Sequence, residues 1–116
     1  MNRHEAKKRE QRGEANAVWF LRLKGWRIIG ERITSPRGEV DLIPRRRKSV
    51  AFVEVKARTR RTELDPAMHP NSLRRVAAAV EILLPKHGKA CENIQIDAIL
   101  VAPWRMPHHL PNVWHG

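Results

Sequence analysis

The stretch that most limits what this chain can fold into is "VAFVEVKA", Val50 to Ala57, one strand whose two faces carry different chemistry. Side chains alternate along a strand, so Ala51, Val53, Val55 and Ala57 share one wholly apolar face, while Val50, Phe52, Glu54 and Lys56 share the other. The apolar face must pack on a helix, which leaves Glu54 and Lys56 together on the opposite side.

The strand before it sharpens the question. In "GEVDLI", Gly38 to Ile43, Glu39 and Asp41 fall on one face and Val40 and Leu42 on the other. If "RRKS" forms a four-residue turn, Asp41 lies opposite Glu54. Like charges directly opposite destabilise a sheet, so this register implies a third party such as a cation. Mg²⁺ is the obvious candidate, with Mn²⁺ as its substitute, because hard divalent ions take carboxylate oxygens and bridge to phosphate. Lys56, on the same face, is then placed to meet the phosphate or an attacking water. The ordinary alternative is that Glu54 pairs with Lys56 or an arginine on a solvated face.

The rest of the chain supplies a frame. Ala17, Val18, Phe20 and Leu21 recur at helical spacing, predicting a helix over Glu14 to Lys24 stopped by Gly25. Trp26 to Ile33 is β-rich and "SPRG" is turn chemistry, so a hairpin into Gly38 to Ile43 is expected, closed by Pro44 and the exposed run Arg45, Arg46, Arg47, Lys48. After Val50 to Ala57 comes a polar loop bearing Arg58, Arg60 and Arg61. A second helix starts at Pro70 and ends at Pro85, with Leu73, Val76, Ala77, Val80, Leu83 and Leu84 as its apolar stripe. Ile94 to Ala102 then runs like a central strand. The order αβββαβ predicts an α/β domain with a mixed sheet flanked by helices. One domain spans 1–116, with 1–12 a basic N-terminal segment. Residues 103–116, rich in Pro, His and Trp, read as an extended tail outside any ladder, pinned by Trp104 or Trp114.

Charge points to the partner. Lys and Arg number 23 against 12 Asp and Glu, a net +11 in 116 residues, which makes a polyanion the first candidate. Nucleic acid fits better than membrane, since the apolar stretch Val76 to Leu84 is broken by Glu81 and falls far short of the ~20 residues a bilayer requires. The lone Cys91 and an N-terminus without a secretory core place the expected location in the reducing cytoplasm. Arg45, Arg46, Arg47 and Lys48, with Arg58, Arg60 and Arg61, are the expected phosphate contacts, and Arg74 and Arg75 lie near the start of the second helix.

"RGEANAVWFL" (Arg12 to Leu21), "RGEVDLI" (Arg37 to Ile43), "FVEVKAR" (Phe52 to Arg58) and "IDAILV" (Ile96 to Val101), in this order, resemble the bacterial YraN-like family, regarded as predicted endonucleases. The resemblance covers most of the chain. It implies a restriction-endonuclease-like fold related to Holliday-junction resolvases, with a D…(E/D)-x-K pattern in which Asp41, Glu54 and Lys56 take the catalytic positions and Glu14 adds an acid from the first helix. It further implies metal-dependent hydrolysis of a phosphodiester, with Asp41, Glu54 and the Val55 carbonyl holding the ion; DNA, branched DNA included, is the expected partner in preference to RNA, a choice the sequence itself leaves open. Many resolvase-like proteins form homodimers, although no stripe in this sequence identifies an interface. One position departs from the pattern: where many relatives carry a lysine early in the second helix, this chain has Ser72. That departure motivates the rival reading, a nucleic-acid-binding or ribosome-associated protein that keeps the fold without cutting.

Other polar groups have bland readings. His87 and Cys91 lack the paired spacing of a zinc site, and His108, His109 and His115 are expected to be solvated. Asp97 is expected to pair with an arginine. Glu39 belongs either to the metal shell or to Arg37. Trp19, Trp26, Trp104 and Trp114 are expected to pack rather than stack on bases.

Overall fold

The structure, a computed structural model, describes residues 3–57, 70–102 and 106–114. Its elements are α1 (Arg3–Leu23), β1 (Arg27–Ser35), β2 (Gly38–Arg46), β3 (Ser49–Ala57), α2 (Pro70–His87), β4 (Asn93–Val101) and β5 (His108–Leu110). The five strands form one sheet in sequence order, antiparallel throughout except for the β3–β4 pair, which is parallel and joined through α2. This is the expected α/β architecture with a mixed sheet between two helices, consistent with a restriction-endonuclease-like core.

Each face of the sheet has its own core. Ala17, Val18 and Leu21 of α1 pack on Ala51, Val53, Leu42, Ile99 and Val101, the apolar face read from β3. On the other side Val76, Ala79 and Leu83 of α2 cover Val50 and Phe52 with Val40 and Ile43. Glu54 and Lys56 therefore lie on the α2 side, because the strand's alternation carries them there after Phe52. α2 and β2 meet closely at Gly38, where any Cβ would overlap the Arg75 carbonyl oxygen, so the "RGEVD" segment has a glycine for packing as well as for its turn. The Ser35 hydroxyl closes that turn, accepting from the Arg37 and Gly38 amides and donating to the Gly38 carbonyl.

Four expectations about boundaries are corrected. α1 begins at Arg3 rather than at Glu14, so the basic N-terminal segment is part of the first helix. β2 does not close at Pro44 but runs to Arg46; the proline, which has no N–H to give, faces β1 where the register shifts between Ile28 and Gly30 and so interrupts an already irregular ladder. α2 continues past Pro85 to His87, held after the proline by the Gly88 amide donating to the Leu84 carbonyl at 2.8 Å and by His87 Nδ1 beside the Leu83 carbonyl at 3.1 Å. The tail also contributes a strand: Leu110, His109 and His108 pair with Ala98, Ile99 and Leu100. The two prolines that flank this strand, Pro107 and Pro111, stand outside the three paired residues, whose own N–H groups remain usable.

Candidate nuclease-type carboxylate site

The hairpin register is the one the four-residue turn predicts. Leu42 pairs with Val53, Arg45 with Val50 and Arg46 with Ser49. Extended by one step it sets Asp41 against Glu54, and the backbone ladder ends there. Asp41 Oδ2 instead accepts the Val55 amide at 2.8 Å, so a side-chain carboxylate substitutes for a strand carbonyl as the two strands part. This bond fixes the Asp41 carboxylate beside the segment that carries Glu54 and Lys56.

The electrostatics are those of crowded acids. Burial, reinforced by the charge of Glu54, pushes the Asp41 carboxyl up to about 7, against the opposing pull of the Val55 N–H. Burial likewise raises Glu54, while the Lys56 ammonium at 3.2 Å pulls it back down. Their side chains are largely shielded, at 14% and 28% exposure for Glu54 and Lys56. The intrastrand ion pair that forms the ordinary reading of Glu-x-Lys is therefore present, and it coexists with an Asp41 for which no described cation serves as ion-pair partner.

Arg32 explains how Asp41 is left so. It stands between two registered pairs, Glu31 with Leu42 and Ile33 with Val40, which places it opposite Asp41 on the β1 side. Its backbone adopts a φ of +49°, and its guanidinium goes to Glu14 of α1 at 2.6 Å rather than to Asp41. That bond raises the Arg32 pKa. Sequence reading missed Arg32; the β1–β2 hairpin length sets it opposite Asp41, but its bond to Glu14 depends on how α1 lies across β1. Glu14, expected among the catalytic acids, is thus tied to Arg32, and its charge reaches Asp41 only as a further upward push. Among the described residues no group of three or more Asp, Glu, His or Cys gathers into an ion-binding cluster, so the acids brought together are the pair Asp41 and Glu54.

The remaining expected residues fall in different places. Glu39 takes neither expected role cleanly, lying on the rim 3.9 Å from Arg75 of α2, while Arg37 pairs with Glu81. Arg74 and Arg75 are exposed on α2. Arg45 to Lys48 sit at the opposite end of the β2–β3 hairpin from the acids. Arg58, Arg60, Arg61, Trp104 and His115 lie outside the described residues, as does the side chain of Ser72 in the first turn of α2. Trp26 is core, with Arg46 over its ring, and Trp114 is partly buried against Leu73, Ala98 and Leu100, as expected of a packing residue; Trp19 is 61% exposed, which corrects its expected packing role.

Two further corrections concern β4 and β5. Asp97, fully buried, pairs with no arginine among the described residues: His109 Nε2 lies 2.7 Å from its carboxylate, and Gln95 Nε2 and the Asn112 amide donate to it as well. His109 is therefore not a solvated histidine, because it is the partner that a buried charge on a central strand requires.

A five-stranded mixed sheet between two helices makes this an α/β protein, and two carboxylates and a lysine gather where its second and third strands diverge, an arrangement consistent with a restriction-endonuclease-like core. The chain belongs to the family described as "Uncharacterised protein family UPF0102", which matches residues 13–101. It is similar to the UPF0102 protein of Rhizorhabdus wittichii, 56% identical over 117 residues that cover 100% of this chain and 99% of that one. It is also similar to those of Sphingopyxis alaskensis (52% identical, 98% of each chain) and Erythrobacter litoralis (46% identical, 98% of each chain). The match takes in Glu14, Asp41, Glu54 and Lys56. No described helix is long and apolar enough to cross a membrane.

Proposed function

We propose that this chain is a metal-dependent endonuclease that hydrolyses phosphodiester bonds in DNA, branched DNA included. One observation carries the reading: Asp41 and Glu54 are held together in a shielded site, at the cost of an Asp41 carboxyl raised to about 7, with Lys56 on the same face. The donor set suits Mg²⁺ or Mn²⁺. Two carboxylates and the neighbouring Val55 carbonyl are hard oxygen ligands, and a divalent cation would relieve the repulsion that their geometry imposes. Such an ion, when bound, supplies Lewis-acid stabilisation to a phosphate accumulating negative charge. The chain's own residues do the rest. The Val55 N–H orients Asp41, the spacing of β3 keeps Glu54 and Lys56 side by side, and the Lys56 ammonium is free to exchange its bond to Glu54 for one to a phosphate oxygen or to the attacking water.

Incubating purified protein with branched and linear duplex DNA and Mg²⁺ or Mn²⁺ tests this. Cleavage should be lost in Asp41→Asn and Glu54→Ala; equal cleavage by wild type and these variants would sink the proposal. A second reading, a nucleic-acid-binding or ribosome-associated protein that retains the fold without cutting, draws on Ser72 and on the absence of a third acid beside the pair among the described residues. Tight, salt-dependent binding without cleavage under any divalent ion would favour it.

A further inference from the structure

The far end of the sheet carries the opposite charge. The C-terminus of α1, the start of β1, the β2–β3 turn and the start of β4 meet there around a groove of about 930 Å³, lined by Lys24, Arg46, Arg47, Lys48 and Asn93 among others. Arg46 is fixed in place, donating to the Lys24 carbonyl at 3.0 Å and lying over the Trp26 ring at 4.4 Å from its centroid. Arg27 and Arg45 are cross-strand partners, a like-charge pairing as unfavourable in a bare sheet as the acid pair at the other end. Glu92 takes Lys48, and among the described residues no carboxylate forms an ion pair with Lys24, Arg27, Arg45, Arg46 or Arg47.

The turn itself departs from what folding alone would select. A two-residue hairpin connection favours Asn or Gly where φ is positive. Here the position is Arg47, with φ +56°, so an arginine occupies a conformation that disfavours it at the tip of the hairpin. The side chain gains no described ion pair in return.

We propose that this basic end is a second phosphate-binding site, which grips the backbone of duplex DNA apart from the carboxylate site. Arg46 is five residues along β2 from Asp41, about 17 Å at strand rise. That separation is close to five base-pair steps and too large for both sites to contact one phosphate. The proposal rests on the reading of the chain as one that acts on nucleic acid, but its test does not require cleavage.

Binding of a labelled duplex of about 16 base pairs, followed by fluorescence anisotropy in EDTA across a range of salt, makes that test. Arg47→Gly should weaken binding by about tenfold at low salt and reduce the slope of log K against log salt by about one, while its melting temperature stays equal to or above that of wild type because the turn is relieved. Arg46→Gln should weaken binding too. In a Lys56→Ala background the Arg47→Gly loss should persist undiminished, as independent sites require. Unchanged affinity and slope in Arg47→Gly would overturn the proposal, and so would a loss that vanishes when Lys56 is already gone. A protein that binds in this way yet never cuts would leave the second site standing and remove only the nuclease reading.

Discussion

Asp41 ties local geometry to stability in a measurable way. Its carboxyl titrates near 7 in the folded protein against 3.8 as the ordinary value, so between those limits the folded state holds a proton that the unfolded state has released. Stability from this group is therefore fully present below about pH 4, declines as pH rises, and is lost above about 7. The interval is roughly three units, and after allowance for partial exposure the loss is on the order of 2–3 kcal/mol. Asp41→Asn keeps an oxygen for the Val55 N–H and removes the charge. In EDTA it should match wild type near pH 4 and exceed it by that amount at pH 8, with Mg²⁺ or Mn²⁺ closing the gap by stabilising wild type alone. Chemical denaturation of both proteins across this pH range checks it, and a difference that stays flat with pH would refute the assignment. Asp41, Glu54 and Lys56 were legible in the sequence because strand alternation and one turn length place them. Arg32 was not, since its role depends on α1 lying across β1, and no local pattern encodes that distance.

Whole elements were legible where their burial is periodic. α1, α2, β3 and β4 carry stripes or alternation that only one packing satisfies, and both helices lie on the faces those stripes demand. β2 departs from its expected alternation: Val40 and Leu42, read as sharing one face, pack in the α2-side and α1-side cores respectively, because the strand is irregular at Asp41 opposite Arg32. β5 was hidden because three residues between prolines hold too little pattern, and its anchor is a tertiary bond. That anchor can be tested. Asp97 is fully buried, and its contacts to His109 and Asn112 join β5 and the residues after it to β4. His109→Ala would leave a buried carboxylate with amide donors only, at a cost of about 2–4 kcal/mol. The loss should appear as a lower denaturation midpoint, and hydrogen exchange should speed up most at the β5 amides. A variant within a degree of wild type in melting temperature, with β5 still protected, would show that the pair is not what holds this strand.

At the scale of the molecule, the sheet is polarised along its strands, with acids where β2 and β3 part and cations at their turn, inside a chain of net charge +11. An excess of this size repels itself in the compact state, and the repulsion is screened as the Debye length falls from about 30 Å at 0.01 M salt to about 3 Å at 1 M. Added salt should therefore raise the melting temperature of the free protein by a few degrees. Duplex DNA should raise it further at low salt, because a ligand that binds only the folded state stabilises it by mass action. The two effects must oppose each other: as salt rises, the contribution of DNA should fade while that of screening grows, since the same cations drive both. Differential scanning fluorimetry over a grid of salt and DNA concentrations measures this directly. If salt lowers the melting temperature of the free protein from the outset, the cations are already compensated within the fold. The polyanion that both proposals require would then have lost its electrostatic motive.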